Sequence, residues 1–167
     1  MYFVKRTNLN TGTLEQIMWY FKGEEFTEVP KGMEGFVYLI TNTTNNKKYI
    51  GKKTFWERRK DPKTGRRKTK ESNWKSYLSS CEQLKEDAKI KNHEFIKEIL
   101  HLCPHKKSMS YYETYEQFKR DVLLREDYYN TNIEGKYFSS EFTTIYNLVE
   151  HCIINTVSVE IANLYGQ

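Results

Sequence analysis

Gly35-Phe36-Val37-Tyr38-Leu39-Ile40 and Lys48-Tyr49-Ile50-Gly51-Lys52-Lys53 are the two runs that decide how this chain is read. Each is short, apolar or β-branched in character, and carries one tyrosine. Between them lies Thr41-Asn42-Thr43-Thr44-Asn45-Asn46-Lys47, rich in residues that tolerate turn and left-handed backbone. The pattern predicts a β-hairpin with strands at about 36–41 and 47–51. It brings two phenols close together, and its second strand leaves through a glycine into lysines.

Charge is concentrated directly behind this hairpin. Residues 47–75 hold 13 Lys or Arg against Glu57, Asp61 and Glu71, about +10, while the whole chain carries a net +5. The remainder is therefore acidic, at about −5. Such polarisation aims the attraction for a polyanion at one surface. A solvated charged loop is the plainer reading of a basic run. The neighbouring tyrosines and the interleaved Trp56 and Trp74 favour nucleic acid. Candidate contacts are Lys52, Arg58, Lys63, Arg66, Arg67, Lys68, Lys70 and Trp74. Pro62 and Gly65 make residues 60–67 a turn-rich loop, expected to be mobile before substrate binds.

Working outward, Met18-Trp19-Tyr20-Phe21 reads as a strand or packed turn, and Pro30-Lys31-Gly32 marks a boundary. Trp74, Tyr77, Leu78, Cys81 and Leu84 recur at helical spacing over 73–90. His93–Leu100 has helix-like apolar spacing. Residues 110–125 read as a helix opening on a Ser110-x-x-Glu113 capping box, with Tyr111, Tyr115, Phe118, Val122 and Leu123 as its apolar stripe. The segment 142–163 reads as one or two packed helices.

The chain of 167 residues suits one domain, with 38% hydrophobic residues and no apolar run long enough to span a bilayer. A soluble, cytoplasmic protein is expected. Three cysteines without a pairing pattern suit a reducing compartment. His101-Leu102-Cys103-Pro104-His105 lacks the paired spacing of a structural zinc site.

The two-tyrosine hairpin resembles the GIY-YIG nuclease family. Tyr49-Ile50-Gly51 matches its second half literally, and Phe36-Val37-Tyr38 stands where the name has Gly-Ile-Tyr. The resemblance spans about residues 35–132. It implies an α/β (α+β) fold: a small antiparallel three-stranded sheet flanked by helices, with 93–100 as its third strand. Residues 1–34 become an N-terminal extension packed on the domain, and 133–167 a helical C-terminal tail. It implies a metal-dependent DNA endonuclease using Mg²⁺ or Mn²⁺, leaving 5′-phosphate ends. Compactness is similar to that of stand-alone bacteriophage members, and a homodimer is one way to cut both strands.

The resemblance also assigns residues. Tyr38 and Tyr49 match the two tyrosines, and Arg59 the basic residue, with Lys53 as substitute. Glu113 matches the metal-binding glutamate, with Glu116 second, and Asn130 the late asparagine. Hydrolysing a phosphodiester needs an oriented water, charge relief at phosphorus and help for the leaving oxygen, which phenols, cationic side chains and a carboxylate-held metal supply. Glu113 has an alternative as the carboxylate of the Ser110 capping box. Two other classes stay open: a nucleic-acid-binding protein that kept the fold but lost catalysis, and a tyrosine-rich protein-interaction module.

Overall fold

A computed structural model describes residues 17–140. The strands are β1 (Trp19–Phe21), β2 (Glu24–Glu25), β3 (Gly35–Asn42), β4 (Lys48–Thr54), β5 (Trp56–Lys60), β6 (Arg67–Glu71), β7 (Phe95–Cys103), β8 (Asn132–Ile133) and β9 (Tyr137–Phe138). The helices are α1 (Glu82–Asp87) and α2 (Lys106–Lys119). The central sheet has five strands in the order β2-β1-β7-β3-β4, and β1 runs parallel to β7. The sheet is therefore mixed, where a three-stranded antiparallel one was expected. Residues 19–25 supply the two added strands, so this part of the leader is integral to the sheet. The expected helices at 142–163 lie outside the described residues, and the start of the tail expected from residue 133 falls in the β8–β9 hairpin.

β3 is the centre. Its near-continuous apolar run is covered on both faces, as expected of an interior strand. On one face Phe36, Tyr38 and Ile40 pack with Trp19, Phe55, Trp74 and Leu84. On the other, Val37 and Ile50 pack with Met109, Val122 and Leu123 around α2. β4 pairs with β3 in register Tyr38↔Gly51 and Ile40↔Tyr49, so the hairpin forms as read. The turn is closed by the Asn42 Oδ1, which accepts the Thr44 N–H at 3.1 Å, and by Asn46 at φ 60°.

The segment 73–90 is helical only over Glu82–Asp87. The preceding carbonyls are engaged elsewhere. That of Trp74 accepts the Trp19 indole N–H at 2.8 Å, and those of Lys75 and Tyr77 both accept the Lys97 ammonium at 3.1 Å. Carbonyls held by distant donors are not available to an i→i+4 ladder. Lys97 itself is 1% exposed and lies over the Trp19 ring, and burial pushes its ammonium down to about 8.

α2 also starts earlier than its sequence signal. Its N-cap is His105, whose N–H donates to Ser108 Oγ at 3.2 Å, so Ser110 lies inside the helix and caps nothing. The expected apolar stripe holds only in part: Val122 and Leu123 are buried, just beyond the end of α2. Tyr111, Tyr115 and Phe118 are exposed, and Met109, Glu116 and Gln117 are buried. Among the described residues, no helix is long and apolar enough to cross a membrane.

Candidate active site

The two phenols meet across one residue. The rings of Tyr38 and Tyr49 lie 6.2 Å apart at 43°, on the same face of the β3–β4 hairpin. Side chains alternate along a strand, so Tyr49, Gly51 and Lys53 share that face with Tyr38. A Cβ at Gly51 would stand 2.6 Å from Tyr38 Oη and 2.8 Å from Tyr49 Cε1. Space, not backbone angle, demands glycine there. Gly51→Ala is expected to cost about 1–3 kcal/mol by overpacking. Thermal melting measures it, and adding Tyr38→Phe should recover part of the loss. Melting unchanged from wild type would mean the rings do not close over that strand.

The two tyrosines occupy different environments. Tyr38 is fully buried, and its hydroxyl sits beside Tyr77 and Ser79 without a well-formed hydrogen bond. Tyr49 opens to a cleft of about 550 Å³ lined also by Ser80, Glu113, Gln117, Asn130 and Glu134. Its hydroxyl lies 3.2 Å from Ser80 Oγ. Burial is the largest cause that raises both phenols above their ordinary value.

β4 is the edge strand of the sheet, and its outer hydrogen-bonding groups are covered one after another. The Lys48 N–H donates to the Asp127 carbonyl and its own carbonyl accepts the Tyr129 N–H. At Ile50 a side chain replaces a partner strand. Asn130 Oδ1 accepts the Ile50 N–H at 3.0 Å, and its Nδ2 donates to the Ile50 carbonyl at 2.9 Å. Gln117 Nε2 donates weakly to the same carbonyl at 3.4 Å. At Lys52 the Glu113 carboxylate stands beside the strand, 2.8 Å from the side-chain ammonium, and the main-chain N–H helps to hold its charge. Edge groups covered this way cannot recruit another strand, and the coverage ties β4 to α2 and to residues 127–130.

Glu113 is the acid that α2 brings to the cleft, which Glu82 and Glu134 also line. Its Oε2 lies 2.8 Å from Lys52 Nζ, which also donates to Ser110 Oγ at 2.9 Å and stands 3.7 Å from Glu134. Burial is the largest influence on its carboxyl and raises it, with Lys52 opposing. Glu116, one turn on, faces elsewhere: it is 2.6 Å from His101 Nε2 and paired with Arg120. With α2 beginning at Lys106, Glu113 is not at a helix N-terminus, and the capping alternative falls.

The basic residues sort differently from expectation. Lys52, expected on DNA, belongs to the Glu113 cluster. Lys53 lies with Nζ 4.1 Å over the Tyr77 ring and 2.7 Å from Asn73 Oδ1, and burial lowers its ammonium. Arg59 is not brought to the cleft; it is exposed on β5 beside Glu57 at 3.2 Å. Arg58 makes two 2.7 Å bonds to Glu34, tying β5 to the body. Trp74 does not face solvent: it is 1% exposed in the aromatic core, so a DNA contact there is excluded by packing. The loop 60–67 is the tip of a β5–β6 hairpin, where Asp61 Oδ1 accepts the N–H of Lys63 at 2.9 Å. Lys63, Arg66, Arg67, Lys68 and Lys70 are all exposed on this hairpin.

Tyr77, Ser80, Gln117 and Glu134 were not among the sequence candidates. No functional spacing marks them, because two separate loops and a helix bring them to β4. Among the described residues, no group of three or more His, Cys, Asp or Glu is placed to hold a metal, and His101 stacks on Tyr112 instead.

A family model described as "Putative endonuclease segE, GIY-YIG domain" matches residues 19–133. No curated protein and no solved structure matches the chain.

Proposed function

This chain belongs to the GIY-YIG endonuclease family, and on that premise we propose that it hydrolyses DNA phosphodiester bonds with Mg²⁺ or Mn²⁺ in the Tyr49–Glu113 cleft. The supporting observation is one arrangement on one strand. Glu113 is held against Lys52, immediately after the glycine onto which both tyrosine rings pack.

The residues fit a divalent cation of the magnesium type. Such an ion keeps several waters and takes one or two carboxylates plus substrate phosphate. Glu113, with Glu134 near it, supplies that donor set, and the Lys52 ammonium between them shows the pair attracts positive charge. Bound there, the cation supplies Lewis-acid relief of the charge developing at phosphorus.

The chain's own groups do the rest. A phenol held above its ordinary pKa keeps its proton near neutrality, so the Tyr49 hydroxyl acts as a donor that orients water or phosphate oxygen. Ser80 fixes its direction. Lys52 fills the basic role first assigned to Arg59, since its ammonium can turn from Glu113 to a phosphate or departing oxygen. Tyr38 is a positioning residue behind Tyr49. Asn130, with both ends of its amide on Ile50, positions the strand and does not itself face the phosphate.

Supercoiled plasmid tests the reading. Nicking or linearisation with Mg²⁺, abolished by EDTA, is the expected result. Firm DNA binding with no cleavage in Mg²⁺ or Mn²⁺ would instead identify a family member that has lost catalysis.

A further inference from the structure

The β5–β6 hairpin carries its charge unequally on its two faces. Directly opposed residues share a face, so Glu57, Lys70, Arg59 and Lys68 lie on one, and Trp56, Glu71, Arg58, Thr69, Lys60 and Arg67 on the other. On the first face the cations already have carboxylates. Glu57 stands 3.2 Å from Arg59 and 3.5 Å from Lys70, and Asp61 stands 2.7 Å from Lys68. The Lys68 ammonium is the largest cause holding Asp61 below the usual carboxylate range.

The second face differs along its length. Near the body it is neutralised by the Arg58–Glu34 pair and anchored by the Trp56 indole N–H, which donates to the Met33 carbonyl at 2.9 Å. Further out, Lys60 and Arg67 stand opposite each other, both exposed and in no ion pair among the described residues, the neighbouring Asp61 carboxylate being taken by Lys68. Lys63 and Arg66 at the tip are likewise exposed, and their side-chain charges form no ion pair among the described residues; Asp61 meets Lys63 only at its main-chain N–H. Like charges directly opposed destabilise a ribbon. Nothing described in the chain offsets this pair, whereas the same juxtaposition of Arg59 and Lys68 is offset by Glu57 and Asp61.

We propose that the Lys60–Arg67 face, with Lys63 and Arg66 at the tip, grips the phosphate backbone of double-stranded DNA, and that the Arg59–Lys68–Lys70 face does not. This rests on the nuclease reading and adds to it which surface holds the substrate and in which form. Phosphates offset the unbalanced charge of one face, while the other would have to surrender its own ion pairs to bind. The duplex is chosen over a single strand because single-strand sites stack bases on aromatic side chains. The hairpin offers none: Trp56 packs against the body, Trp74 is in the core, and the exposed positions are cationic or small.

Two variants of equal charge change test the proposal: Lys60→Ala with Arg67→Ala, and Lys68→Ala with Lys70→Ala. Affinity for a labelled DNA duplex, and for one of its strands alone, is measured across a salt series without divalent cation, so that cleavage plays no part. The Lys60/Arg67 variant is expected to bind duplex about tenfold more weakly at physiological salt, with the log–log salt slope reduced by about 2, one unit per lost phosphate contact. The Lys68/Lys70 variant should stay within about twofold with its slope kept. Melting of the Lys60/Arg67 variant should not fall, because a repulsive pair is removed. Equal losses from both variants, or tighter binding of the single strand than of the duplex, overturn the face and substrate assignments while leaving the nuclease reading standing. Absence of wild-type binding to either DNA overturns both.

Discussion

Glu113→Gln is expected to leave a folded protein that does not cut DNA. The amide keeps length and can still accept from Lys52, but it cannot offer a carboxylate to a divalent cation. Losing several kcal/mol of charge stabilisation at phosphorus corresponds to about 10³-fold or more in rate. DNA binding should hold or tighten, since a negative group in the cleft is gone. The contrast is Glu116→Gln. Glu116 is buried between His101 and Arg120 outside the cleft lining, so its loss weakens a buried ion network. That variant should lose about 3–5 kcal/mol of stability and retain cleavage below its melting range. Plasmid cleavage and melting for both decide the matter. Full cleavage by Glu113→Gln, or abolished cleavage with unchanged melting for Glu116→Gln, would move the metal to Glu116.

The tyrosines should separate in the same way. Tyr49→Phe removes the hydroxyl that faces the cleft and Ser80, and is expected to slow cleavage by about 10²-fold without destabilising the fold. Tyr38→Phe removes a fully buried hydroxyl that makes no well-formed bond. Its stability should be unchanged or slightly raised, because a poorly satisfied buried polar atom is gone. Its cleavage should fall by no more than about 10-fold, through repacking behind Tyr49. Single-turnover rates at saturating metal make the comparison. A greater loss from Tyr38→Phe than from Tyr49→Phe would show that Tyr38 reaches the reacting groups and that the packing around Gly51 opens when substrate binds.

Much of this protein was legible in its residues. Alternation and turn chemistry are local, so the β3–β4 hairpin, the closeness of its two tyrosines and the basic segment behind it follow from spacing alone, while the register that sets Tyr38 across from Gly51 comes from the structure. The resemblance pointed to Glu113 and Asn130 and to a third strand over 93–100, where the apolar spacing by itself looked helical and the structure has β7 at Phe95–Cys103. The helix limits were not legible. The carbonyls after Trp74 are claimed by Trp19 and Lys97, and α2 is capped from His105, not Ser110; both depend on partners far away in the chain. Trp74 reads as an interleaved aromatic among cations, and only packing shows that its ring belongs to the core.

What the sequence by itself determined is the family, the phenol pair and the glycine between them, because each depends on neighbours within one hairpin. The tertiary structure decided which acid faces the cleft, which cation accompanies it, and what Asn130 does. Glu113 and Glu116 are three residues apart on one helix and chemically identical. The docking of α2 against the β4 edge on one side and β7 on the other gives the first to Lys52 and the second to His101 and Arg120. It also decided which hairpin cations are already paired, since, apart from Glu57 beside Arg59 on one strand, the pairing carboxylates act across strands or from the body, where sequence distance carries no information.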